Sequence, residues 1–531
     1  MIDKNVKASP IFGEFSPEEQ NRFFDFSKEK VVAHVDSEYY TCSVYNDSNE
    51  PCEGMQALLA VLADLKAKKV ANRMLPVEFF GLSLEPTRFV HYEYCLRLDE
   101  NFDIFISSFL PNDFTPRIVV QLRTRILVQL GVCQAICKSF RYIEEILSAF
   151  GLDVDQVNEN RIDYAFHTNL IQNPYKYFSD DMLLSKLKTK MRTYHKVGDI
   201  GKKIEIDYIS FGHRNSNDIF VRIYNKSREV IEKNYKSFFI DKWLQDKLIS
   251  NYDHYVYSKA YEAKSYVTGI LVGRIDWYLE YGHDDEIKKK LSDVKKSCYI
   301  NSDNIDQLRK IVDEILPPVT LILNVEFQTK RKFYHSFDHN IQMFQKGFLD
   351  DNNQWQWYET NTLPLFRLFT IYNLRSQFLH YLTGTSLCFV DEKGTKDEHF
   401  SHWWQRINQC YIEEYDRRII DLWRSFERHT DIERTKRRVC GTVASMSILQ
   451  NNGYVQKPFM EDVSDALCVL NDNDFYGFAP NPETGKIPIC EPDTYSIVKK
   501  RKYRQLKPIL NEQNQELSKN LNLKDKKDSE G

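Results

Sequence analysis

A tyrosine flanked by two cations occurs in residues 218–229, which read DIFVRIYNKSRE. Successive side chains of a β-strand point to opposite faces, so Arg222, Tyr224 and Lys226 would share one face and the aliphatic residues between them the other. A phenol hydroxyl can act as a covalent nucleophile, and nearby cations offset the charge of a phosphate. The stretch therefore predicts a tyrosine that attacks a nucleic-acid phosphate and nicks DNA.

Two other strand-like stretches carry acidic groups on their polar side. Residues 160–169 (NRIDYAFHTN) present Asp163 and His167, and residues 319–328 (VTLILNVEFQ) present Glu326. Carboxylate oxygens suit Mg²⁺ or Mn²⁺, which would polarise the scissile phosphate, and His167 is a candidate ligand or base. Taken singly, each residue is better explained as a solvated strand position. The prediction therefore depends on these strands sharing one sheet face.

A further alternating stretch, residues 117–125 (RIVVQLRTR), is basic. Its aliphatic residues face a core, while Arg117, Arg123 and Arg125 share the other side. Such a face is either an ordinary solvated surface or a track for a DNA backbone.

Length and composition predict a multidomain protein of a reducing compartment. A chain of 531 residues with 42% hydrophobic residues is expected to fold into about two to four domains. The net charge of −4 argues neither for nor against nucleic acid. Eleven cysteines without paired spacing favour the cytoplasm over a disulfide framework. Neither a signal-type N-terminus nor a long apolar run is seen, so no membrane partner is expected.

The order of strand-like and helix-like stretches predicts an α+β fold. We expect an antiparallel sheet with helices packed on one face and an open polar catalytic face, plus a helical insertion and a helical C-terminal region. The predicted organisation is a flexible N-terminal arm (1–30), a catalytic nicking region (31–410) that contains the helical insertion (229–318), the C-terminal region (411–498) and a disordered basic tail (499–531).

Four stretches resemble, in order, the motifs of the Rep_trans replication initiation factors, the rolling-circle initiators of plasmids and related mobile elements. They are NRIDYAF (160–166), FGHRNS (211–216), FVRIYNKSRE (220–229) and NVEFQTK (324–330). The nicking tyrosine of that family falls on Tyr224. The sequence departs from the family pattern at His167, where the family has an acidic residue, and at Asn324, where it has arginine.

The resemblance implies roles for individual residues. It makes Tyr224, Arg222, Lys226 and Arg214 catalytic. It adds Arg161, Ser216 and Lys330 to the strand arginines as DNA-binding residues. The metal ligands would be Asp163, Glu326 and His167.

The resemblance also implies a function and partners. The protein would bind a double-stranded origin, nick one strand, keep the 5′ phosphate on Tyr224 and leave a free 3′-hydroxyl. It would handle single-stranded DNA, act as a homodimer and cooperate with a host helicase. Two alternatives stay open, a relaxase of an integrative conjugative element and a non-catalytic DNA-binding protein that keeps the fold.

Overall fold

The computed structural model describes a large part of the chain. The described residues are 4–25, 30–45, 47, 52–71, 76–87, 89, 91–109, 111, 116–189, 194–197, 208–215, 218–233, 236–300, 305–349, 355–357, 364–394, 399–412, 422, 439–443 and 459–469. The predicted tail (499–531) and most of the predicted C-terminal region (411–498) lie outside them.

The chain divides into two compact units, Met1–Ser425 and Phe426–Gly531. All the strands described below belong to the first unit. In the described part of the chain, no helix is both long enough and apolar enough to cross a bilayer.

The strands are rich in β-branched and aromatic residues, as strand preference requires. In chain order they are β1 (Val31–Val44), β2 (Glu78–Phe79), β3 (Leu82–Glu85), β4 (Tyr94–Leu98), β5 (Phe102–Ile106), β6 (Ile118–Leu122), β7 (Val154–Thr168), β8 (Leu187–Thr189), β9 (Tyr194–Val197), β10 (Tyr208–Phe211), β11 (Ile219–Asn225), β12 (Leu323–Lys330), β13 (Gly347–Leu349), β14 (Trp355–Trp357) and β15 (Leu387–Phe389).

The helices lie mainly between and after these strands. They are α1 (Lys4–Lys7), α2 (Pro17–Phe24), α3 (Glu53–Ala71), α4 (Thr124–Leu130), α5 (Val132–Ser148), α6 (Pro174–Phe178), α7 (Asp180–Lys186), α8 (Lys226–Arg228), α9 (Phe238–Gln245), α10 (Asn251–Glu262), α11 (Val267–Tyr281), α12 (Asp285–Ile300), α13 (Ile305–Ile315), α14 (Arg331–His335), α15 (Asp338–Lys346), α16 (Phe366–Asn373), α17 (Arg375–Tyr381), α18 (His402–Asn408) and α19 (Phe459–Val469).

Eleven of the described strands form one sheet in the order β2-β3-β4-β5-β6-β1-β7-β12-β11-β10-β9. Every pairing in it is antiparallel. The long strands β1 and β7 pair with each other at its centre. The strands that carry Tyr224, Glu326 and Asp163 are consecutive in this order, as a shared catalytic face requires.

The two faces of the sheet differ in character. On one face, alternate strand residues such as Ile162, Val221 and Val325 join the main hydrophobic core, against which α3, α5 and α14 to α18 pack. The residues between them point to the opposite, polar face. The predicted α+β fold, with an antiparallel sheet and a helix-packed face, is confirmed.

The N-terminal residues differ from the flexible arm predicted for residues 1–30. Residues 4–25 form α1, a 3₁₀ turn and α2, and α2 begins with a capping box at Ser16. Phe15, Phe23 and Phe24 are buried against Trp277 of α11. The arm is ordered because three aromatic rings bury apolar area that a loose segment would leave in water.

Helices fill the described parts of residues 229–318. Part of this segment covers one end of the polar face, where Phe239 and Trp243 of α9 pack with Ile322 and Val32. The polar face is therefore open over only part of its width.

Glu38 lies on the core side of β1, opposite Leu122 and Ile162, and is 2% exposed. Burial raises the pKa of Glu38 from 4.5 to about 8. Between these two values the unfolded chain releases a proton that the folded chain retains. This carboxyl therefore lowers the free energy of unfolding as the pH rises, by roughly 3–5 kcal/mol over the window.

We expect Glu38→Gln to flatten the fall in stability between about pH 5 and pH 8, because the amide has no proton to release. Urea unfolding followed by circular dichroism at several pH values measures the difference. An identical fall in the free energy of unfolding for both proteins would contradict the prediction.

Candidate active site

The register of three adjacent strands brings the predicted chemistry together. Arg222 of β11 lies opposite Glu326 of β12, and Tyr224 lies opposite Asn324. On the other side of β12, Asp163 of β7 lies opposite Gln328. Side chains paired in this way on one face are neighbours, with Cβ atoms about 5 Å apart.

Four of these side chains line a cavity of about 580 Å³ on the polar face of the sheet, namely those of Asp163, Arg222, Tyr224 and Glu326. Its wall contains the predicted site residues Asp163, Tyr224, Glu326, Arg123, Arg125, Arg161, Arg214 and Arg222. The structure thus places the tyrosine, both predicted carboxylates and five of the predicted arginines around one space.

Hydrogen bonds fix the hydroxyl of Tyr224 from three sides. It donates to Glu326 Oε2 at 3.0 Å and accepts from Asn324 Nδ2 at 2.8 Å and from Lys226 Nζ at 3.4 Å. The side chain is 9% exposed, and it is not part of the hydrophobic clusters formed by the described residues. The phenol therefore has an acceptor for its proton and two donors for the negative charge left on oxygen.

The resting phenol is strongly held in its neutral form. Burial, and then the negative charge of Glu326, raise the pKa of Tyr224 well above its usual value. Burial also raises the pKa of Glu326, although Arg222 opposes that effect. A carboxylate with a raised pKa in direct contact with a hydroxyl is suited to accept its proton.

Arg222 binds the other oxygen of the same carboxylate. Its Nη2 donates to Glu326 Oε1, and its guanidinium lies 5.4 Å from the centre of the Tyr224 ring. The side chain of Arg222 is 30% exposed, while that of Glu326 is 2% exposed. Arg222 therefore neutralises the buried carboxylate and still reaches the cavity.

Lys226 begins the short helix α8, just beyond the end of β11. The side chain is fully buried, and Nζ lies 2.7 Å from Glu229 and 3.9 Å from Asp36. Burial by itself lowers the pKa of Lys226, but Asp36 and Glu229 outweigh it and raise the pKa above its usual value. A permanent positive charge thus lies behind the Tyr224 hydroxyl.

The carboxylate of Asp163 accepts hydrogen bonds from two neighbouring side chains, those of Ser37 and Arg161. Ser37 Oγ donates to Asp163 Oδ2 at 2.6 Å, and Arg161 donates to both carboxylate oxygens at 2.8 and 2.5 Å. The guanidinium of Arg161 also lies 5.1 Å from the ring centre of Tyr39. Arg161 was predicted to bind DNA, and its side chain is 21% exposed at the cavity wall.

The structure does not bring His167 to the cavity. The ring is 2% exposed beneath α9, and its Nδ1 accepts a hydrogen bond of 3.0 Å from Trp243 Nε1. Burial, and then the neighbouring His34, lower the pKa of His167 well below its usual value. Helix α9 covers this end of β7, so the prediction of His167 as a metal ligand beside Asp163 and Glu326 is wrong.

Without His167, the predicted ligand set is reduced to two carboxylates, those of Asp163 and Glu326. Asp163 and Glu326 supply the hard oxygen donors that Mg²⁺ prefers, yet each carboxylate is already bound on both oxygens by groups of this chain. Among the described residues, no group of three or more His, Cys, Asp and Glu side chains could hold a metal. The side chains of the described site themselves supply a proton acceptor for Tyr224 and a positive charge beside it.

Arg117 was predicted to contact DNA, and the structure contradicts this. The side chain is 0% exposed and forms a two-bond ion pair with Asp47, with contacts of 2.5 and 2.8 Å. Its Nη1 also donates to the Ser107 carbonyl at 2.8 Å. Asp47 and the carbonyls of Ser107 and Phe109 enclose the guanidinium, and strand alternation alone does not predict such partners.

The remaining predicted DNA-binding residues lie in different places. Arg123 and Arg125 reach the cavity from the end of β6 and the start of α4. Lys330, at the end of β12, donates to the Arg214 carbonyl at 2.5 Å. Ser216 lies outside the described residues.

Two contributors to the site were not identified as such from the sequence. Asn324 was noted only as a departure from a motif, yet the alternation of β12 already placed it on the polar face. Asp36 lies at an irregularity of β1 between Val35 and Ser37, which turns it toward the cavity. Although burial opposes the effect, the charges of Lys226 and Lys236 hold the pKa of Asp36 well below its usual value.

Comparisons with known proteins do not identify a family. No protein-family model matches the chain, and no curated protein matches it. A solved structure, that of the rolling circle replication initiator protein from Geobacillus stearothermophilus, is 11% identical and covers 72% of this chain and 99% of its own, with a TM-score of 0.31. A score this low does not establish a shared fold, so no residue role is carried over from that protein.

We expect Arg117→Met to lower the free energy of unfolding by about 3–5 kcal/mol, because it leaves Asp47 buried and unpaired. The matched control is Arg125→Gln, whose partner Glu100 has a side chain 73% exposed, so its effect should stay below about 1 kcal/mol. Urea unfolding measures the free energy of unfolding of both variants. Equal decreases in the two variants would show that Arg117 is not a buried ion-pair partner.

Proposed function

We propose that this protein is a DNA-nicking replication initiator of the rolling-circle type, with Tyr224 as the nucleophile. The observation that carries the proposal is the Tyr224 hydroxyl, held between a carboxylate acceptor and two donors in the wall of an arginine-lined cavity. The four motif stretches that resemble the Rep_trans initiators support the same assignment.

A phosphate is bound by the cations of the cavity wall in this mechanism. Arg222 lies beside Tyr224, and Arg161 and Arg214 line the same space. Guanidinium groups bind phosphate oxygens in a two-bond geometry and offset the charge that accumulates during the displacement. Because the Tyr224 oxygen is fixed by hydrogen bonds before substrate arrives, little reorganisation is needed for attack.

The proposed chemical step is a transesterification at one phosphodiester. The Tyr224 oxygen attacks phosphorus, and its proton passes to Glu326 Oε2, which already accepts the hydrogen bond. The bond from phosphorus to the 3′ oxygen of the preceding nucleotide breaks, and that oxygen takes up a proton from solvent. The products are a 5′-phosphotyrosine and a 3′-hydroxyl from which a polymerase can extend.

Asn324 and Lys226 stabilise the developing phenolate in this scheme. Both donate to the Tyr224 oxygen, and Lys226 keeps its charge because its ammonium is paired with Glu229 and Asp36. A requirement for Mg²⁺ or Mn²⁺ stays a prediction, as do the homodimer, the host helicase and a role in plasmid replication or conjugative transfer.

The first prediction of the proposal concerns the covalent product. Wild-type protein incubated with labelled single-stranded DNA of randomised sequence should form an adduct that survives denaturing electrophoresis, and Tyr224→Phe should form none. Parallel reactions with Mg²⁺, with Mn²⁺ and with EDTA test the metal requirement. The phenylalanine variant keeps the ring and removes only the attacking oxygen.

Tyr208→Phe is the matched control, because Tyr208 of β10 lies directly opposite Tyr224 but does not line the cavity. It should form the adduct at the wild-type yield. Mass spectrometry of the adduct then locates the nucleotide. An adduct on any side chain other than Tyr224, or undiminished yield in Tyr224→Phe, would refute the mechanism.

A second prediction concerns pH. Glu326 accepts a proton only when ionised, so the nicking rate should rise with pH through the raised pKa of this carboxyl. Glu326→Gln should lower the nicking rate by about 10²–10⁴-fold. It should also remove the rising limb of the pH–rate profile, which is the part where the rate increases as Glu326 ionises. Glu326→Asp keeps a carboxylate and should keep the limb at a reduced rate. The same limb in the glutamine variant would assign the base to another group.

A further inference from the structure

A small apolar island interrupts the polar face of the sheet, well away from Tyr224. Cys95, Phe105 and Val119 form a separate buried cluster there, with Tyr92 packed at its edge. Phe89 lies against it, with its ring centre 4.7 Å from that of Phe105 at an interplanar angle of 84°. The Phe89 side chain nevertheless remains 42% exposed, and it lines the cavity.

Two arginines lie beside this island and share one carboxylate. Arg97 Nε donates to Asp103 Oδ1 at 2.7 Å, and Arg123 Nε donates to Asp103 Oδ2 at 3.1 Å. Asp103 has a side chain only 2% exposed, whereas the side chains of Arg97 and Arg123 are 30% and 33% exposed at the cavity. One carboxylate balances one guanidinium, so the pair keeps one positive charge toward the cavity.

A continuous row of register partners runs from the arginine pair across the sheet to Arg161, which lines the same cavity as Tyr224. Arg161, Tyr39, Gln121, Asp103 and Arg97 are register partners on β7, β1, β6, β5 and β4 in turn. Tyr224 lies on β11, six strand positions from β4. At about 4.8 Å per strand, the separation of β4 and β11 across the sheet is roughly 29 Å.

We infer that Phe89, with Arg97 and Arg123, forms a subsite that binds an unpaired nucleotide of the DNA strand whose phosphate reaches Tyr224. The exposed Phe89 ring stacks against the base, and the arginine pair binds the adjoining phosphate. This assignment relies on the proposed function for the identity of the nucleic acid. The subsite itself is defined by residues that lie outside the catalytic motifs.

Unpaired DNA fits this arrangement better than a duplex does. In a duplex the faces of each base are covered by neighbouring bases, whereas a single strand can place a base against an aromatic ring. Single-strand binding surfaces combine such rings with cations that follow the backbone, and one ring contributes enough to be measured by alanine substitution. The distance of roughly 29 Å corresponds to a site for several nucleotides.

The test measures binding without chemistry, in full-length protein carrying Tyr224→Phe. Fluorescence anisotropy with a labelled single strand of about 12 nucleotides compares this protein with the same protein plus Phe89→Ala. We expect the affinity to fall by about 5- to 100-fold. Phe109→Ala is the matched control, since Phe109 is 62% exposed but does not line the cavity, and it should bind like the parent.

An abasic strand of the same length shows whether Phe89→Ala weakens binding because base stacking is lost or because the protein is misfolded. It keeps every phosphate and lacks the bases, so Phe89→Ala should bind it as well as the parent protein does. Arg97→Gln should instead weaken binding to both strands and reduce the slope of log affinity against log salt by about 0.7.

Three results would overturn the subsite. The first is that Phe89→Ala binds the normal strand as tightly as the parent protein does. The second is that Phe89→Ala loses as much affinity for the abasic strand as for the normal strand. The third is that the parent protein binds a duplex or single-stranded RNA more tightly than single-stranded DNA. Because residue 224 carries no hydroxyl in this assay, failure of the nicking reaction cannot produce any of them. Conversely, loss of the subsite leaves the test of the Tyr224 adduct unaffected.

Discussion

The candidate site depends on one buried carboxylate, that of Glu326, and on the two groups that make its burial possible. Arg222 binds one oxygen and the Tyr224 hydroxyl binds the other. A carboxylate at 2% exposure would be very costly without such partners. The pairing therefore stabilises the strands and also orients the phenol. A change in any of these three side chains would alter both properties together, which is why conservative substitutions are needed to separate structure from chemistry.

The antiparallel sheet explains how residues so far apart in sequence reach one another. Tyr224 and Glu326 are separated by 102 positions, yet they lie on adjacent strands whose register places Arg222 opposite Glu326. The helices of the intervening segment bury their own apolar residues and cover the end of the polar face at His167. They leave the cavity accessible beside Tyr224 while excluding water from the lysine behind it. The segment between the two strands thus contributes to the environment of the site as well as connecting its strands.

The alternation of apolar and polar residues was sufficient to predict much of this arrangement. It placed Tyr224, Arg222, Asp163 and Glu326 on one face, and the structure brings them to one cavity. It failed where local geometry departs from a regular strand or where another element intervenes. Arg117 is enclosed in a buried ion pair with Asp47, and α9 covers His167. The irregularity that exposes Asp36 to the cavity depends on strand pairing, which a single sequence does not specify. The packing of the N-terminal aromatic residues on α11 is likewise a tertiary effect.

The charge balance of the cavity has a consequence for how DNA would be recognised. Arg222, Arg161 and the pair Arg97 and Arg123 are each bound to a carboxylate of this chain, so a phosphate must share or displace an existing partner. The electrostatic gain from each contact is then smaller than the number of arginines suggests. Affinity must accordingly come in larger part from contacts to bases. In the proposed subsite, stacking of a base on Phe89 would supply one contact of that kind and would favour a strand whose bases are already unpaired. An initiator built in this way would bind weakly to intact duplex and would act where the DNA strands have separated.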